Sequence, residues 1–433
     1  MTFNVTNDIA CPFCGCLCDD LKVIISDGKI VDVKNACIYG LTKFLNYSLE
    51  RSVTPVVQGD NGKVEVDLET AVDKSARILI DAKYPLLYGW SCTSCEAQRV
   101  GLELAEEIGG VIDNTTSVCH GPSIEALQEI GESTCTLGEV KSRADLIIYW
   151  GSNPLQSHMR HLSRYTIGTE GRFRKTRDDR TMVVIDVRNT YSARVADYFY
   201  QIEPNSDYEL MSALRVALRD QEIEQDEVAG LKKDEIYDLA DMMISCDFGI
   251  VFFGLGLTMS LGANRNVDAA LSLIRDLNKR TKFLIMPMRG HFNVAGADVV
   301  FTWQTGYPFA VDFSRGYPRY NPGDTSAVDI LLRGESDASL IVASDPVATF
   351  PVEASKRLLS NPLICIDPHR SLTAKAATVA IPSNFVGIEC TGTAYRMDTI
   401  PLPLKKVIEP PEGCLSDVQL LEMILRRVRE LKG

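Results

Sequence analysis

The sequence predicts an α/β protein: a small N-terminal cysteine-rich domain followed by two doubly wound, Rossmann-like domains. Three observations carry this. Helix-period and strand-period segments alternate from about residue 68 almost to the end. Of thirteen cysteines, five fall before residue 40. A strand–turn–helix pattern also occurs twice in register. The expected boundaries are 1–57 for the small domain, 58–118 with 292–433 for one α/β domain, and 119–291 for the other.

Residues 1–57 contain short strand-like runs, Leu21–Ser26 and 29–33, among the cysteines. A helix from about Leu68 places Ala71, Val72, Ala76 and Leu79 on one face, and the apolar run 85–90 reads as a buried strand. A helix from about Glu96 is closed by Gly109-Gly110, and a short strand follows at 111–112. Leu146–Trp150 and 182–187 read as strands, and Asp207 is expected to cap a helix carrying Leu210, Met211, Leu214 and Leu218. Strand 250–253 leads to a helix with Val267, Ala270, Leu271, Ile274 and Leu277, then to strand 283–286. Strands at 340–343 and Leu363–Ile366 flank a helix at Val352–Leu359. Such alternation gives parallel sheets covered by helices, which bind dinucleotides at their strand C-termini.

A chain of 433 residues exceeds one ordinary core. Its 45% apolar and 24% charged residues are those of a globular protein. A net charge of −13 argues against a nucleic-acid groove and against an anionic membrane surface. The polar start reaches a cysteine at once, without a signal layout, and no apolar run approaches a membrane span. A cytoplasmic protein is expected, and in that reducing compartment thirteen cysteines read as ligands or redox groups rather than disulfides.

The repeat aligns Ile185-Asp186-Val187-Arg188, followed by Ser192 to Ala196, with Ile366-Asp367-Pro368-His369-Arg370, followed by Thr373 to Ala377. Each copy comes after a strand that ends in a small polar–Pro turn, Gly151-Ser152-Asn153-Pro154 in one and Ala343-Ser344-Asp345-Pro346 in the other. Two matched elements in the same order point to two related nucleotide-binding halves; two ordinary strand–turn–helix units are the plainer alternative. Residues 160–179, rich in Arg and Gly, and 309–325, rich in Gly, Pro and Tyr, are long enough for functional loops. The basic one reads either as a phosphate holder or as a solvated charged hairpin.

Cys11-Pro-Phe-Cys14-Gly-Cys16-Leu-Cys18 precedes Cys37. Thiolates with two and three residues between them, plus a fourth from a later loop, can wrap a 4Fe-4S cubane. Cys11, Cys14, Cys18 and Cys37 fit that spacing, with Cys16 left over. A four-thiolate zinc site uses similar spacing and stays open. Farther on, Ser117-Val118-Cys119-His120-Gly121-Pro122 and Met288-Arg289-Gly290-His291-Phe292-Asn293-Val294-Ala295-Gly296-Ala297 each follow a strand, where α/β folds place active sites.

Together these elements resemble the catalytic subunits of molybdenum and tungsten bis-pterin oxidoreductases of the formate dehydrogenase type. Gly89-Trp90-Ser91, Asp113-Asn114-Thr115-Thr116, Cys119-His120-Gly121-Pro122 and Trp150-Gly151-Ser152-Asn153-Pro154 are similar to the B-subunit family of formylmethanofuran dehydrogenase. The resemblance implies that Cys119 ligates tungsten or molybdenum between two molybdopterin guanine dinucleotides. His120 and Arg289 then flank the metal's open face, a titratable imidazole to relay a proton and a guanidinium to orient a carboxylate-like substrate. Gly151, Ser152, Asn153, Asp186 and Arg188 would hold one dinucleotide, and Asp345, Asp367 and Thr393 the other.

It also implies residues 1–57 as an iron–sulfur domain with one 4Fe-4S cluster. Two departures stand out. The Lys-Gly that formate dehydrogenases carry after the fourth cluster cysteine is replaced by Cys37-Ile38-Tyr39-Gly40, with Lys43 nearby. The C-terminal β-barrel domain of larger members is expected to be lacking here, which implies a separate barrel subunit that completes the pterin site. The implied reaction is reduction of CO2 to formate, the first step of methanogenesis from CO2. Iron–sulfur electron-transfer subunits would supply electrons, and a zinc amidohydrolase-type subunit would condense the formate with methanofuran. A formate dehydrogenase acting on free formate is the alternative enzyme. A non-catalytic scaffold subunit, as in formyltransferase/hydrolase complexes, is the alternative of another class.

The remaining candidates have plainer readings. Cys92 and Cys95 form a C-x-x-C at a strand end without assigned chemistry, His158 and His161 are read as surface residues with a nucleotide contact as the alternative, and His291 as support for Arg289. Cys135, Cys246, Cys365, Cys390 and Cys414 are read as packing residues.

Overall fold

The computed structural model describes residues 3–433. The chain forms two compact units: one combines Met1–Val118 with His291–Gly433, and the other is Cys119–Gly290. The chain therefore crosses between units directly before Cys119 and directly after Gly290, and residues 1–57 belong with the first unit. Ten strands build the parallel cores. In chain order they are β1 (Pro85–Gly89), β2 (Val111–Asn114), β3 (Leu146–Trp150), β4 (Thr181–Asp186), β5 (Tyr198–Gln201), β6 (Phe248–Phe253), β7 (Lys282–Pro287), β8 (Ala338–Val342), β9 (Leu363–Ile366) and β10 (Val379–Ile381).

In the Cys119–Gly290 unit the sheet order is β5-β4-β3-β6-β7, parallel throughout. Every residue of β3 and β6 is buried, as strands covered on both faces require, which explains their unbroken apolar runs. Helices Asp207–Ala217 and Asn264–Leu277 close the core with Leu210, Leu214, Val267, Ile274 and Leu277.

The other unit has nine strands, with β10-β9-β8-β1-β2 as its parallel middle and antiparallel pairs on both edges. With β8, β9 and β10 set against β3, β4 and β5, and β1 and β2 against β6 and β7, the two orders are the same. The chain merely enters the second copy at a different strand.

The repeat extends to individual hydrogen bonds. Ser192 donates to Asn153 Oδ1 from Oγ (2.7 Å) and N (3.2 Å), while Thr373 donates to Asp345 Oδ1 from Oγ1 (2.6 Å) and N (2.9 Å). The Leu155 amide donates to Ser192 Oγ at 3.2 Å, and that of Val347 to Thr373 Oγ1 at 3.1 Å. Arg188 N donates to Asp186 Oδ1 (3.2 Å) as His369 N does to Asp367 Oδ1 (2.7 Å). Gly151 and Ala343, at matching positions, both have left-handed φ, 55° and 49°. Two independent strand–turn–helix units would not share this set.

Within its unit the N-terminal lobe is a three-stranded antiparallel meander, Phe3–Ile9, Leu21–Ser26 and Lys29–Lys34, followed by helix Ile38–Leu45. Ala10 and Leu17 pack on Phe292, Val386, Ala394 and Leu404. The Arg51–Glu389 ion pair (2.8 Å, both side chains under a tenth exposed) pins the end of the lobe. Among the described residues no helix is long and apolar enough to cross a membrane.

One local expectation changes. Ser206, not Asp207, is the N-cap of helix Asp207–Ala217, and the Asp207 carboxylate instead accepts from Trp150 Nε1 at 2.8 Å. Ser94 caps helix Cys95–Ile108 by accepting from Ala97 N.

Candidate functional site

In the Cys119–Gly290 unit, Cys119 ends the link into helix Gly121–Ile130, whose N-cap is His120 and whose first turn carries Pro122. Pro without an amide is tolerated there, and the helix presents its positive end beside Cys119. The Cys119 carbonyl accepts from Thr258 Oγ1 at 3.2 Å, which fixes the backbone while leaving the thiol half-exposed. His120 is buried, 3.2 Å through Nδ1 from Ser123 Oγ, with its ring edge-on to Phe253. Arg289 lies beyond β7, where Met288 N still pairs with Phe253 O (2.8 Å) before the chain turns.

Burial, then the Arg289 charge, pulls the His120 pKa down to about 3. Burial thus favours the neutral ring in the protein alone. The same Arg289 charge reaches Glu132. Its Oε1 is buried with no hydrogen-bond partner, and burial pushes its carboxyl up to about 7. A lone Glu after Gly131 carries no sequence signal; only the fold reveals it. Charging Glu132 in the folded state is unfavourable, so its contribution falls as pH rises from 4.5, the usual value, to about 7. Glu132→Gln is thus expected to flatten the pH dependence of the melting temperature over that interval. An unchanged slope would mean that Glu132 is already ionised there.

At the ends of β3 and β6 three glycines let two turns meet. A Cβ on Gly151 would stand 2.9 Å from Gly256 Cα, and one on Gly254 would stand 2.6 Å from Gly151 O. This is the switch point of the sheet, between β3 and β6. A cavity of about 410 Å³ opens there, lined by Gly151, Asp186, Asn205, Asp207 and Gly256 among others. Ser152 is buried, whereas Arg188 is exposed. Asn153 spends its Oδ1 on Ser192, so it shapes the turn.

In the other unit, Asp345 is similarly spent on Thr373, and Thr393 donates from both N (3.0 Å) and Oγ1 (2.7 Å) to Glu96. Burial raises the Asp367 carboxyl to about 7. A cavity of about 390 Å³ is bordered by Glu96, Thr391, Ser416 and Gln419. Between the last two lies Asp417, whose Oδ1 is buried without a partner while Oδ2 accepts from Thr93 Oγ1 at 2.5 Å. Asp417 is the counterpart of Asp207: both open a helix after Ser, as Ser206-Asp207 and Ser416-Asp417. That third element of the repeat was readable in the sequence.

The cysteine lobe brings Cys11, Cys14, Cys18 and Cys37 near one another. Leu17 N donates to Cys14 O (3.0 Å) and Cys11 N to Cys18 O (2.9 Å), which curls the segment. Cys37 caps helix Ile38–Leu45 by accepting on Sγ from Gly40 N at 3.3 Å. A Cβ at Gly40 would be 3.4 Å from Cys11 Sγ and 3.7 Å from Cys37 Sγ, which places Gly40 against both sulfurs. Burial raises the Cys11 thiol, and negative charge on Cys14, Cys18 and Cys37 raises it further. A Cys11 thiolate disfavoured by the charge of three neighbouring thiols fits a cationic group among them. Cys16 hydrogen-bonds Cys14 and lowers its pKa. Among the described residues no three His, Cys, Asp or Glu side chains stand close enough to hold one metal ion. A cubane, with one thiolate per iron, takes more widely set sulfurs.

Lys43 Nζ lies over the rings of Phe13 (5.3 Å) and Tyr39 (5.2 Å), and its charge acts on Cys14, Cys92 and His291. His291 Nδ1 is 3.3 Å from Thr115 Oγ1. Cys92 and Cys95 both have thiols pushed up to about 12 by burial, and Cys95 packs on Asn293, so this pair is structural. None of the thirteen cysteines forms a disulfide. His158 and His161 are buried rather than superficial, because the turns after β3 fold under their own unit. In the basic loop Arg174 pairs with Asp247 (2.6 Å) and Arg177 with Asp197 (2.7 Å), and just beyond it Arg180 donates to the Ala144 and Lys141 carbonyls, which favours the charged-hairpin reading.

No protein-family model matches the chain. It is 50% identical over 432 residues to the B subunit of tungsten-containing formylmethanofuran dehydrogenase 2 from Methanocaldococcus jannaschii, covering 99% of both chains. Its fold is similar to a chain of the formyltransferase/hydrolase complex from Methylorubrum extorquens, solved with methylofuran, at a TM-score of 0.71 and 22% identity. That match covers 87% of this chain and 99% of the other. It is also similar to acetylene hydratase from Pelobacter acetylenicus, with a TM-score of 0.72 at 14% identity, covering 98% of this chain and 69% of that one.

Proposed function

The chain belongs to the B-subunit family of formylmethanofuran dehydrogenase, and from that premise we propose that it is the catalytic subunit that reduces CO2 to formate in the cytoplasm. The observation that carries this reading is the placement of Cys119 and His120 in one unit with Arg289, whose charge is felt at the His120 ring. When bound, tungsten or molybdenum with two molybdopterin guanine dinucleotides supplies the two-electron chemistry. Cys119 gives that metal a soft thiolate ligand. Arg289 orients the carboxylate of formate through paired hydrogen bonds, and the neutral His120 ring offers one N–H without adding charge.

Gly151, Ser152, Asn153, Asp186 and Arg188 form the seat of one dinucleotide, to which Asp207 adds a carboxylate at the cavity wall. Asp345, Asp367 and Thr393 form the other, where the orphaned Asp417 Oδ1 awaits a donor such as a guanine N–H. Cys11, Cys14, Cys18 and Cys37 hold a 4Fe-4S cubane. Lys43, reaching toward Cys14, Cys92 and His291, takes the place of the lysine missing after Cys37. Partner subunits complete the pterin site, deliver electrons and condense the formate with methanofuran.

Metal analysis of the anaerobically purified complex, with an assay of CO2-dependent formylmethanofuran formation, tests the reading. Iron with tungsten or molybdenum supports it, and zinc alone overturns it. Arg289→Lys keeps the charge but loses the planar fork, and is expected to lower kcat/KM for formate about hundredfold, roughly 2.7 kcal/mol. A loss below about threefold would remove Arg289 from substrate binding.

A further inference from the structure

We propose that His158 is a positioning residue that sets Arg289 in place, so that the nucleotide-binding turn after β3 and the substrate-orienting guanidinium are held as one element. The proposal rests on the reading of Arg289 given above. The turn Gly151-Ser152-Asn153-Pro154 is fixed by the two hydrogen bonds that Ser192 donates to Asn153 Oδ1. One helical turn, Pro154–Ser157, follows directly, and His158 N closes it by donating to Pro154 O at 2.8 Å. From there the buried imidazole spans to the end of β7: Nε2 lies 2.9 Å from the Arg289 carbonyl oxygen, and Nδ1 lies 2.8 Å from Ser157 Oγ.

The chemistry fixes the tautomer. A carbonyl oxygen only accepts, so Nε2 carries the proton and donates; Nδ1 faces the Ser157 hydroxyl, whose one proton is shared between Nδ1 (2.8 Å) and the Asn153 carbonyl (3.1 Å). Burial favours this neutral ring. Arg289 has left the strand ladder; its amide donates to Pro287 O (3.1 Å), an i to i−2 turn, and Gly290 follows. A residue in such a turn is not held by sheet pairing, and the His158 bond to its carbonyl restrains the backbone that carries the guanidinium. Partners of this supporting kind are commonly worth 10–100-fold in activity.

The test compares His158→Ala and His158→Gln in the intact complex, since glutamine can still donate an N–H to the carbonyl. His158→Ala is expected to raise KM for formate about tenfold while kcat changes less than about threefold. His158→Gln should restore most of the loss, with tungsten or molybdenum content equal in all three proteins. Hydrogen–deuterium exchange of the peptide over residues 286–292 should quicken in the alanine variant and not in the glutamine variant. Unchanged KM and exchange in His158→Ala overturn the proposal, as does an equal fall of kcat and metal content in both variants, which marks a general structural role. Arg289→Lys measured alongside separates the two ideas. If that variant binds formate normally, the role of Arg289 fails, whereas the exchange measurement still decides whether His158 pins it.

Discussion

Cys119→Ala is expected to lower CO2 reduction at least about a thousandfold, the equivalent of about 4 kcal/mol of transition-state stabilisation. On the proposed reading the Cys119 thiolate is the soft ligand to the metal, and alanine would remove that bond. The fold should tolerate the change. Cys119 is half-exposed, its carbonyl is fixed by Thr258, and the helix behind it starts at Gly121 whatever side chain precedes His120. Cys119→Ser is the informative companion: it keeps the shape but offers a hard oxygen in place of a soft sulfur. Rates of CO2-dependent formylmethanofuran formation, read with tungsten or molybdenum content and melting temperature, distinguish loss of ligation from loss of fold. Retained activity in the alanine variant would take Cys119 away from the metal.

Much of this arrangement was legible because it is local. Alternating periodicity marked the core strands, since strands buried on both faces must be apolar throughout. The paired turns after β3 and β8 were legible because each needs small polar residues and a proline at fixed offsets, and the hydrogen bonds of Ser192 and Thr373 explain why. What escaped depends on contacts far apart in sequence. The common strand order of the two sheets could not be read, because it is set by which strands pair. His158 and His161 looked superficial because nothing in their neighbourhood signals that Arg289, Tyr149 and Phe252 cover them. The downward pull of burial and of Arg289 on the His120 ring likewise comes from residues distant in sequence. The helix openings Ser206-Asp207 and Ser416-Asp417 were visible in principle, but they lie at different distances from Asp186 and Asp367, which breaks the register.

The cysteine lobe carries the second large effect. Cys11→Ala is expected to remove about four irons per copy of this chain relative to the parent complex, because a cubane that loses one of four thiolates is poorly held. Cys11 is the member to change: it is buried, and its sulfur is bordered by Gly40 on the side of Cys37 and is raised by charge on Cys14, Cys18 and Cys37. Loss of the cluster should cut CO2 reduction by a low-potential donor at least about hundredfold while tungsten or molybdenum stays bound, because Cys119 lies in the other unit. Cys16→Ala supplies the contrast. Cys16 is equally buried and touches Cys14, yet as the thiol left over from the spacing it should leave the iron content unchanged. If Cys16→Ala loses the iron and Cys11→Ala keeps it, the ligand assignment is reversed. If neither loses iron and Cys11→Ala instead loses about one equivalent of zinc relative to the parent, the lobe is a zinc site, and electrons must reach Cys119 by a route that does not pass through these cysteines.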